Sequence, residues 1–249
     1  MSKTVVNFTT SKMKGKVVDV PCTECGRTTK HDVTVSLDKQ GSEFDRAEGW
    51  SIDWTDNYQV IRCKGCETVS FRHRSWFSEG YMPEYGEDGV TERLYPKREA
   101  NSLKAKPLLN VPTTLRRIYG EVIDCFNNDN STLCAAGLRA IVEGTCADQA
   151  IADGPVEAPK KGGGTQVIRK DNLEGKIAGL AEKGILTAKG AETLHEHRYL
   201  GNDAVHQLAR PSRDELRLAV EILEHVFDQL YEIPEKALEL KRKAAKRKK

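Results

Sequence analysis

The chain changes its period once. Up to about residue 100, apolar and polar positions alternate with a period near two. The runs KVVDV (16–20), HDVTVSL (31–37), WSIDW (50–54), YQVIRC (58–63) and TVSFRHRSWF (68–77) are rich in β-branched and aromatic residues, and they predict a small antiparallel sheet. The stretch EGYMPEYGEDGVTERLYPKREANSLKAKP (79–107) mixes Pro, Gly and charge without periodicity, which predicts a connector. After Asn110 the spacing becomes helical. Leu115, Ile118, Val122 and Phe126 share a stripe behind an N-cap at Thr113 or Thr114. Leu133, Ala136, Gly137, Ala140, Ile141 and Gly144 form a second stripe of small residues, which suits a helix at the centre of a bundle. Leu173, Ile177 and Leu180 mark a third helix that Gly184 stops. A fourth covers roughly 187–208, with a break expected at Gly201. The last starts at Ser212, which has capping-box spacing to Glu215, and runs through Leu216, Val220, Leu223, Phe227 and Leu230 to Pro234. Between the second and third helices, DGPVEAPKKGGGTQVIRK (153–170) reads as a mobile loop; it lacks the GxxxxGK[ST] run of a P-loop. The expected class is α+β: a sheet domain with connector over 1–107, a bundle of about five helices over 108–235, and a tail over 236–249.

Charge singles out that tail. The chain has 39 Lys+Arg and 37 Asp+Glu, a net +2, yet its last 14 residues hold eight Lys/Arg and one Glu, or +7, which leaves the remainder at −5. Lys241, Arg242, Lys243, Lys246, Arg247, Lys248 and Lys249 follow Pro234, and such a run is expected to stay disordered or loosely helical and to bind RNA or DNA through its phosphates. A mean hydropathy of −0.57 and the lack of a long apolar run exclude a membrane span. The polar start lacks a signal peptide's apolar stretch, so a cytoplasmic, reducing location is expected and the cysteines read as ligands or buried thiols.

Cys22-Thr-Glu-Cys25 and Cys63-Lys-Gly-Cys66 are two C-x-x-C pairs at strand ends. Each such turn gathers two sulfurs, and two turns complete the tetrahedral S4 set that Zn2+ prefers, so a structural zinc ribbon is expected. Arg27, Arg62 and Lys64 sit beside the sulfurs in sequence and are expected to offset the −2 charge of four thiolates around one Zn2+. A closed four-sulfur site leaves no position for water and is not expected to be catalytic. Cys125, Cys134 and Cys146 lie on helical patterns and read as buried small hydrophobes. On the strand TVSFRHRSWF, alternation puts Arg72, Arg74 and Trp76 on one face: either the basic and aromatic mix that grips phosphates and stacks bases, or a solvated strand face.

The densest polar cluster is His195-Glu-His197-Arg198-Tyr-Leu-Gly-Asn202-Asp-Ala-Val-His206. On a continuous helix His195, Arg198, Asn202 and His206 line up at intervals of three, four and four. Such a stripe suits a phosphodiester: Arg198 pairs with phosphate oxygens, Asn202 orients, and His206, with an ordinary pKa near ~6.5, moves a proton. The alternatives are a solvated face or hydrogen bonds between helices. Arg139 and Glu143, four apart on the small-residue helix, are expected to reach across to this helix as support, with Glu143 near Arg198 or His206.

The run Arg139-Ala-Ile-Val-Glu143, the run from Arg198 to His206, the capped last helix ending in Leu230-Tyr231 and the C-x-x-C ribbon in front together resemble the bacterial domain-of-unknown-function family 4145, which is related to the HEPN superfamily. The resemblance covers about residues 112–234. It implies a bundle that dimerises with the Arg/His motifs of two chains facing one another, and metal-independent cleavage of RNA by attack of the 2′-hydroxyl on the adjacent phosphate. The HEPN motif places four to six residues between Arg and His; here seven separate Arg198 from His206, and Gly201 stands where the arginine would be. Two functions are therefore expected: an RNA-directed effector in phage defence or a toxin module, or a non-catalytic dimeric adaptor that binds nucleic acid or a partner protein of a defence system.

Overall fold

A computed structural model of the chain describes residues 2–82 and 87–247. The chain divides after Lys104 into two compact units.

The first unit is built on one long strand. β1 (Lys3–Thr10) and β2 (Val17–Cys22) pair with the same edge of β3 (Arg27–Asp45), and β4 (Trp50–Cys63), β5 (Val69–Met82) and β6 (Glu87–Tyr95) continue the antiparallel sheet from its other edge. β6 occupies a stretch expected to be a connector; its chemistry is polar, and only its pairing with β5, Phe71 opposite Tyr95 and Trp76 opposite Val90, makes it a strand. The turn between β1 and β2 folds over one face of the sheet: Met13 N–H donates to Ser36 Oγ at 2.9 Å, and Gly15 N–H to the Val33 carbonyl. Beneath it lies a thin core of Val20, Val33, Ile61 and Leu94, with Met13 and Val18 packed against it.

The second unit is helical. α1 (Thr113–Asn127), α2 (Ser131–Asp148), α3 (Leu173–Glu182), α4 (Ala188–His206) and α5 (Arg213–Phe227) pack together, with α2 touching each of the other four. The stripe expected on α2 is corrected. Leu133 and Ala140 are exposed, and Cys134, Ala135, Leu138, Ile141, Val142, Thr145 and Cys146 are buried, because a helix with neighbours on several sides buries more than one narrow stripe. Burial pushes the thiols of Cys134 and Cys146 up to about 12, as inert core cysteines require, while Cys125 is half-buried. Ser212 caps α5 with the full capping box: its hydroxyl accepts from Glu215 N–H, and the Glu215 carboxylate accepts from Ser212 N–H at 2.8 Å.

Two further expectations are corrected. The 153–170 segment is a hairpin of β7 (Gly154–Pro159) and β8 (Thr165–Lys170), with α3 packed on β7. Pro234 does not end the last helix. A π turn, Asp228–Glu232, leads from α5 into α6 (Ile233–Arg247), which runs into the basic tail with no residue buried. The wide turn absorbs the N–H that Pro234 lacks, and it is pinned by Glu232, which accepts from Asn110 N and Nδ2 at 2.8 and 2.9 Å. Lys241, Arg242, Lys243, Lys246 and Arg247 are thus displayed on an exposed helix; Lys248 and Lys249 lie outside the described residues. Among the described residues no helix is long and apolar enough to cross a membrane.

Candidate functional site

The four cysteines of the two pairs converge. Cys22 and Cys66 sulfurs lie 3.5 Å apart, Cys25 and Cys63 sulfurs 3.8 Å, and all four lie within 4.8 Å of one another. Four sulfurs held at ~2.3 Å from a central ion in a tetrahedron stand roughly 3.8 Å apart, so the cluster has the dimensions of a metal site. Both turns come from strand ends that β3 brings together, since Cys22 ends β2, which pairs with β3, and Cys63 ends β4, opposite His31 of β3. Burial raises the Cys63 thiol, but the Thr29 hydroxyl and the N–H groups of Cys66 and Gly65 outweigh it and hold the group down at about 5, where a thiolate is available to a metal.

One cation that acts on these sulfurs is one that sequence proximity missed. Arg98, buried, donates from Nε to the Pro21 carbonyl at 2.6 Å and from Nη2 to Ser70 Oγ at 2.7 Å, and its charge acts on Cys22 and Cys63. Burial lowers its pKa, and the two cysteines act in the opposite sense. Lys64 instead pairs with Asp32 at 3.1 Å. Arg98 stands 32 residues after Cys66, in the stretch that reads as connector, so no spacing rule points to it.

Arg72, Arg74 and Trp76 do not form the exposed basic face expected of them. Arg72 is 9% exposed on the covered side of the sheet, where Nε donates to Glu92 at 2.6 Å and Nη1 to Gln59 at 2.8 Å. Its charge is already spent on a carboxylate. Arg74 and Trp76 are half-buried on the same side.

In the helical unit, α4 is continuous through Gly201, and the reason lies on α2. A Cβ built on Gly201 would meet Arg139 Cβ at 2.4 Å, so the glycine is what lets the two helices approach. That approach brings Arg139 Nε to Asn202 Oδ1 at 2.9 Å. Glu143 does not reach Arg198 or His206; it accepts from Arg139 at 3.4 Å and from Lys176 of α3 at 3.2 Å, and Lys176, then Arg139, hold its carboxyl below the usual range. On α3 too, Glu174 accepts from Lys170 at 2.9 Å and faces Arg198 Nη2 at 3.9 Å; Lys170 first, then Arg198, lowers its carboxyl. The resulting seam holds four cations, Arg139, Lys170, Lys176 and Arg198, against two carboxylates. Sequence reading missed Lys170, Glu174 and Lys176; the Lys170 to Glu174 interval of four residues was the one available signal.

Arg198 is 15% exposed, and its buried Nε has no hydrogen-bond partner among the described residues. His195, beside it, has an unpartnered buried Nδ1, and burial followed by the charge of Arg198 lowers its pKa. His206 ends α4, exposed, and eight residues at ~1.5 Å rise set it about 12 Å along the helix from Arg198. Within one chain these two residues do not meet. His197, between them in sequence, is 1% exposed and donates Nε2–H to the Ala219 carbonyl at 2.7 Å, so it serves packing of α4 on α5.

That buried imidazole carries a pH prediction. Burial lowers the pKa of His197, so the unfolded chain takes the proton first. Its contribution to stability is complete above the ordinary histidine pKa of ~6.5 and is lost as pH falls through the lower folded value. The melting temperature of the helical unit should fall between pH 7.5 and 5.5, and His197→Gln, which can still donate to Ala219, should flatten that dependence. An equal pH dependence in the variant would assign it elsewhere.

No curated protein and no solved structure matches the chain. Residues 120–243, which contain α2 to α5 and most of α6, match the family model described as Domain of unknown function (DUF4145).

Proposed function

We propose that this protein is a nucleic-acid-directed effector that binds RNA, with zinc in its four-cysteine site and a phosphodiester-binding seam between α2, α3 and α4. The observation that carries the reading is Arg198: a guanidinium mostly out of water, with a buried Nε that has no hydrogen-bond partner among the described residues, a carboxylate 3.9 Å away and the Tyr199 ring 4.2 Å from its Cζ, so its charge meets no close acceptor. Phosphate oxygens would supply the missing acceptor. The cation surplus of the seam and the exposed basic α6 favour the same class of ligand.

Cleavage is the further step of this proposal. A HEPN-like reaction needs a proton-transfer group beside the phosphate that Arg198 holds. His206 stands too far along α4 to act on it in the same chain, which favours a dimer in which the partner's copy completes each site. The same separation also favours the second reading, an adaptor that binds without cutting.

The test is purified protein, its dimeric state read by light scattering, incubated with RNA in EDTA. Fragments ending in 2′,3′-cyclic phosphate, lost in His206→Ala with a stability change under about 1 kcal/mol, support the ribonuclease. Binding without fragments, weakened by Arg198→Ala, supports the adaptor. Absence of any RNA binding removes the ribonuclease and leaves of the adaptor only a form that binds DNA or a partner protein.

A further inference from the structure

α6 is a helix without a surface to rest on. None of its residues, Ile233–Arg247, is buried, yet Ile233, Ala237, Leu240 and Ala244 recur at intervals of four, three and four and form one apolar stripe, in which Ile233 is 57% and Leu240 68% exposed. A helix of this length is marginal in water by itself, and helices in proteins are held mostly by the packing of such a stripe. Lys236 and Arg247 border the stripe on one side and Lys241 on the other. A second apolar surface lies open on the same unit. Between α4 and α5, Leu200, Leu218, Ala219 and Ile222 line a groove of about 260 Å3 with Glu196 and Glu215, both exposed, at its rim, and Leu218 is 59% exposed.

The two surfaces are complementary: an apolar stripe edged by cations, and an apolar groove edged by carboxylates. Within one chain they do not meet. Leu218 stands about 21 Å along the helix before Glu232, and α6 leaves from that far end of α5. The π turn where it leaves is anchored twice, by Glu232, which accepts from Asn110 at 2.8 and 2.9 Å, and by Tyr231, whose hydroxyl donates to Asp148 at 2.8 Å. While these bonds hold, α6 cannot fold back over its own groove. We infer that the groove holds α6 of a second copy of this chain, each copy lending its helix to the other. Leu240 and Ala244 enter the groove beside Leu218, and the cations at the edges of the stripe meet Glu196 and Glu215. Arg242 and Lys246, on the opposite side of α6, stay outside it. Reciprocal exchange closes the assembly at two copies. The inference uses no residue of the seam or of the four-cysteine site, so it stands apart from the nucleic-acid reading.

The mass of the full-length, metal-loaded protein is read by light scattering across a dilution series, without RNA. The wild type should be a dimer that dissociates on dilution. Leu218→Lys sets a cation in the groove against the basic helix, and Leu240→Glu sets an anion on the helix against the acidic rim. Each should raise the dimer dissociation constant roughly tenfold or more. Both leucines are exposed in the single chain, so the 222 nm signal and the melting temperature of the dissociated variants should match those of the dissociated wild type. An equimolar mixture of the two variants, one of them isotopically heavy, separates helix exchange from any other dimer. Only the mixed pair keeps one native contact and sets the new lysine against the new glutamate in the other, so native mass spectrometry should find the heterodimer at concentrations where neither variant pairs with itself. A monomeric wild type, variants that dimerise as tightly as the wild type, or a mixture without heterodimer would each overturn the exchange. None of these outcomes touches RNA binding by the seam, and loss of RNA binding with the dimer intact removes that reading and leaves this one.

Discussion

Removing the metal should unfold the sheet unit and spare the helices. All three tryptophans, Trp50, Trp54 and Trp76, belong to the sheet unit, so indole emission reports that unit, while ellipticity at 222 nm reports mainly α1 to α6. Among the described residues the sheet's core cluster holds four buried apolar side chains, Val20, Val33, Ile61 and Leu94, which is thin for about a hundred residues. A structural zinc contributes an apparent ~10–16 kcal/mol of folding free energy, far above what those four side chains leave as net stability. Cys63 joins the two turns: it ends β4 opposite His31, its sulfur lies 3.8 Å from that of Cys25, and Thr29 and Gly65 bond to it. Cys63→Ser, or a strong chelator, should red-shift the indole emission and abolish its cooperative transition, with the 222 nm signal largely kept. Cys134→Ser serves as control, since it keeps the metal while costing core stability. Metal analysis should give about one Zn2+ per chain. Metal-free protein with unchanged emission and melting would overturn the assignment.

What could be read from the residues, and what could not, divides along the range of the interaction responsible. The C-x-x-C pairs and the Ser212 capping box are local: the chemistry lies within four residues, and both stand in the structure where the spacing placed them. Alternation gave the strands their two faces, but which face is covered depends on the turn after β1, whose Met13 lies across Ser36, Val33 and their neighbours. That turn puts Arg72 and Gln59 inside and Phe71 outside, the reverse of what polarity suggests. Pro234 stops a helix by local rules, yet Glu232 holds the π turn before it through Asn110, 122 residues earlier. β7 and β8 carry no strand alternation that a window detects, because β7 is held by backbone contact with α3, where a Cβ on Gly154 would fall 2.2 Å from the Gly175 carbonyl. In the seam, Arg139 and Asn202 lie 63 positions apart, and Gly201 reads as a helix break until the neighbour that occupies its missing side chain is known.

Gly201→Ala should destabilise the helical unit, although alanine is the better helix former. Two effects oppose one another. Exchanging glycine for alanine inside a helix gains about 0.8–1 kcal/mol of intrinsic propensity. Against that, the new Cβ falls 2.4 Å from Arg139 Cβ and 2.9 Å from its Cδ, where carbon atoms in contact stand ~3.5–4.0 Å apart. Arg139 Cβ is fixed to the backbone of α2, so rotation of the arginine cannot relieve the overlap; α4 must move away from α2 by about an ångström. A forced separation in a packed core costs about 1–3 kcal/mol, and it also stretches the 2.9 Å bond from Arg139 to Asn202. The clash wins, and the melting temperature should drop by roughly 3–9 °C. Gly120, also within a helix, has open space within 4 Å of where a Cβ would stand, so Gly120→Ala meets the propensity gain alone and should stabilise by about 0.5–1 kcal/mol. Calorimetry of the two variants side by side separates propensity from packing. Because the seam's cations are aligned by this contact, Gly201→Ala should also weaken RNA binding while Gly120→Ala leaves it intact; stabilisation by both substitutions would mean that α2 and α4 do not approach as closely as Gly201 allows.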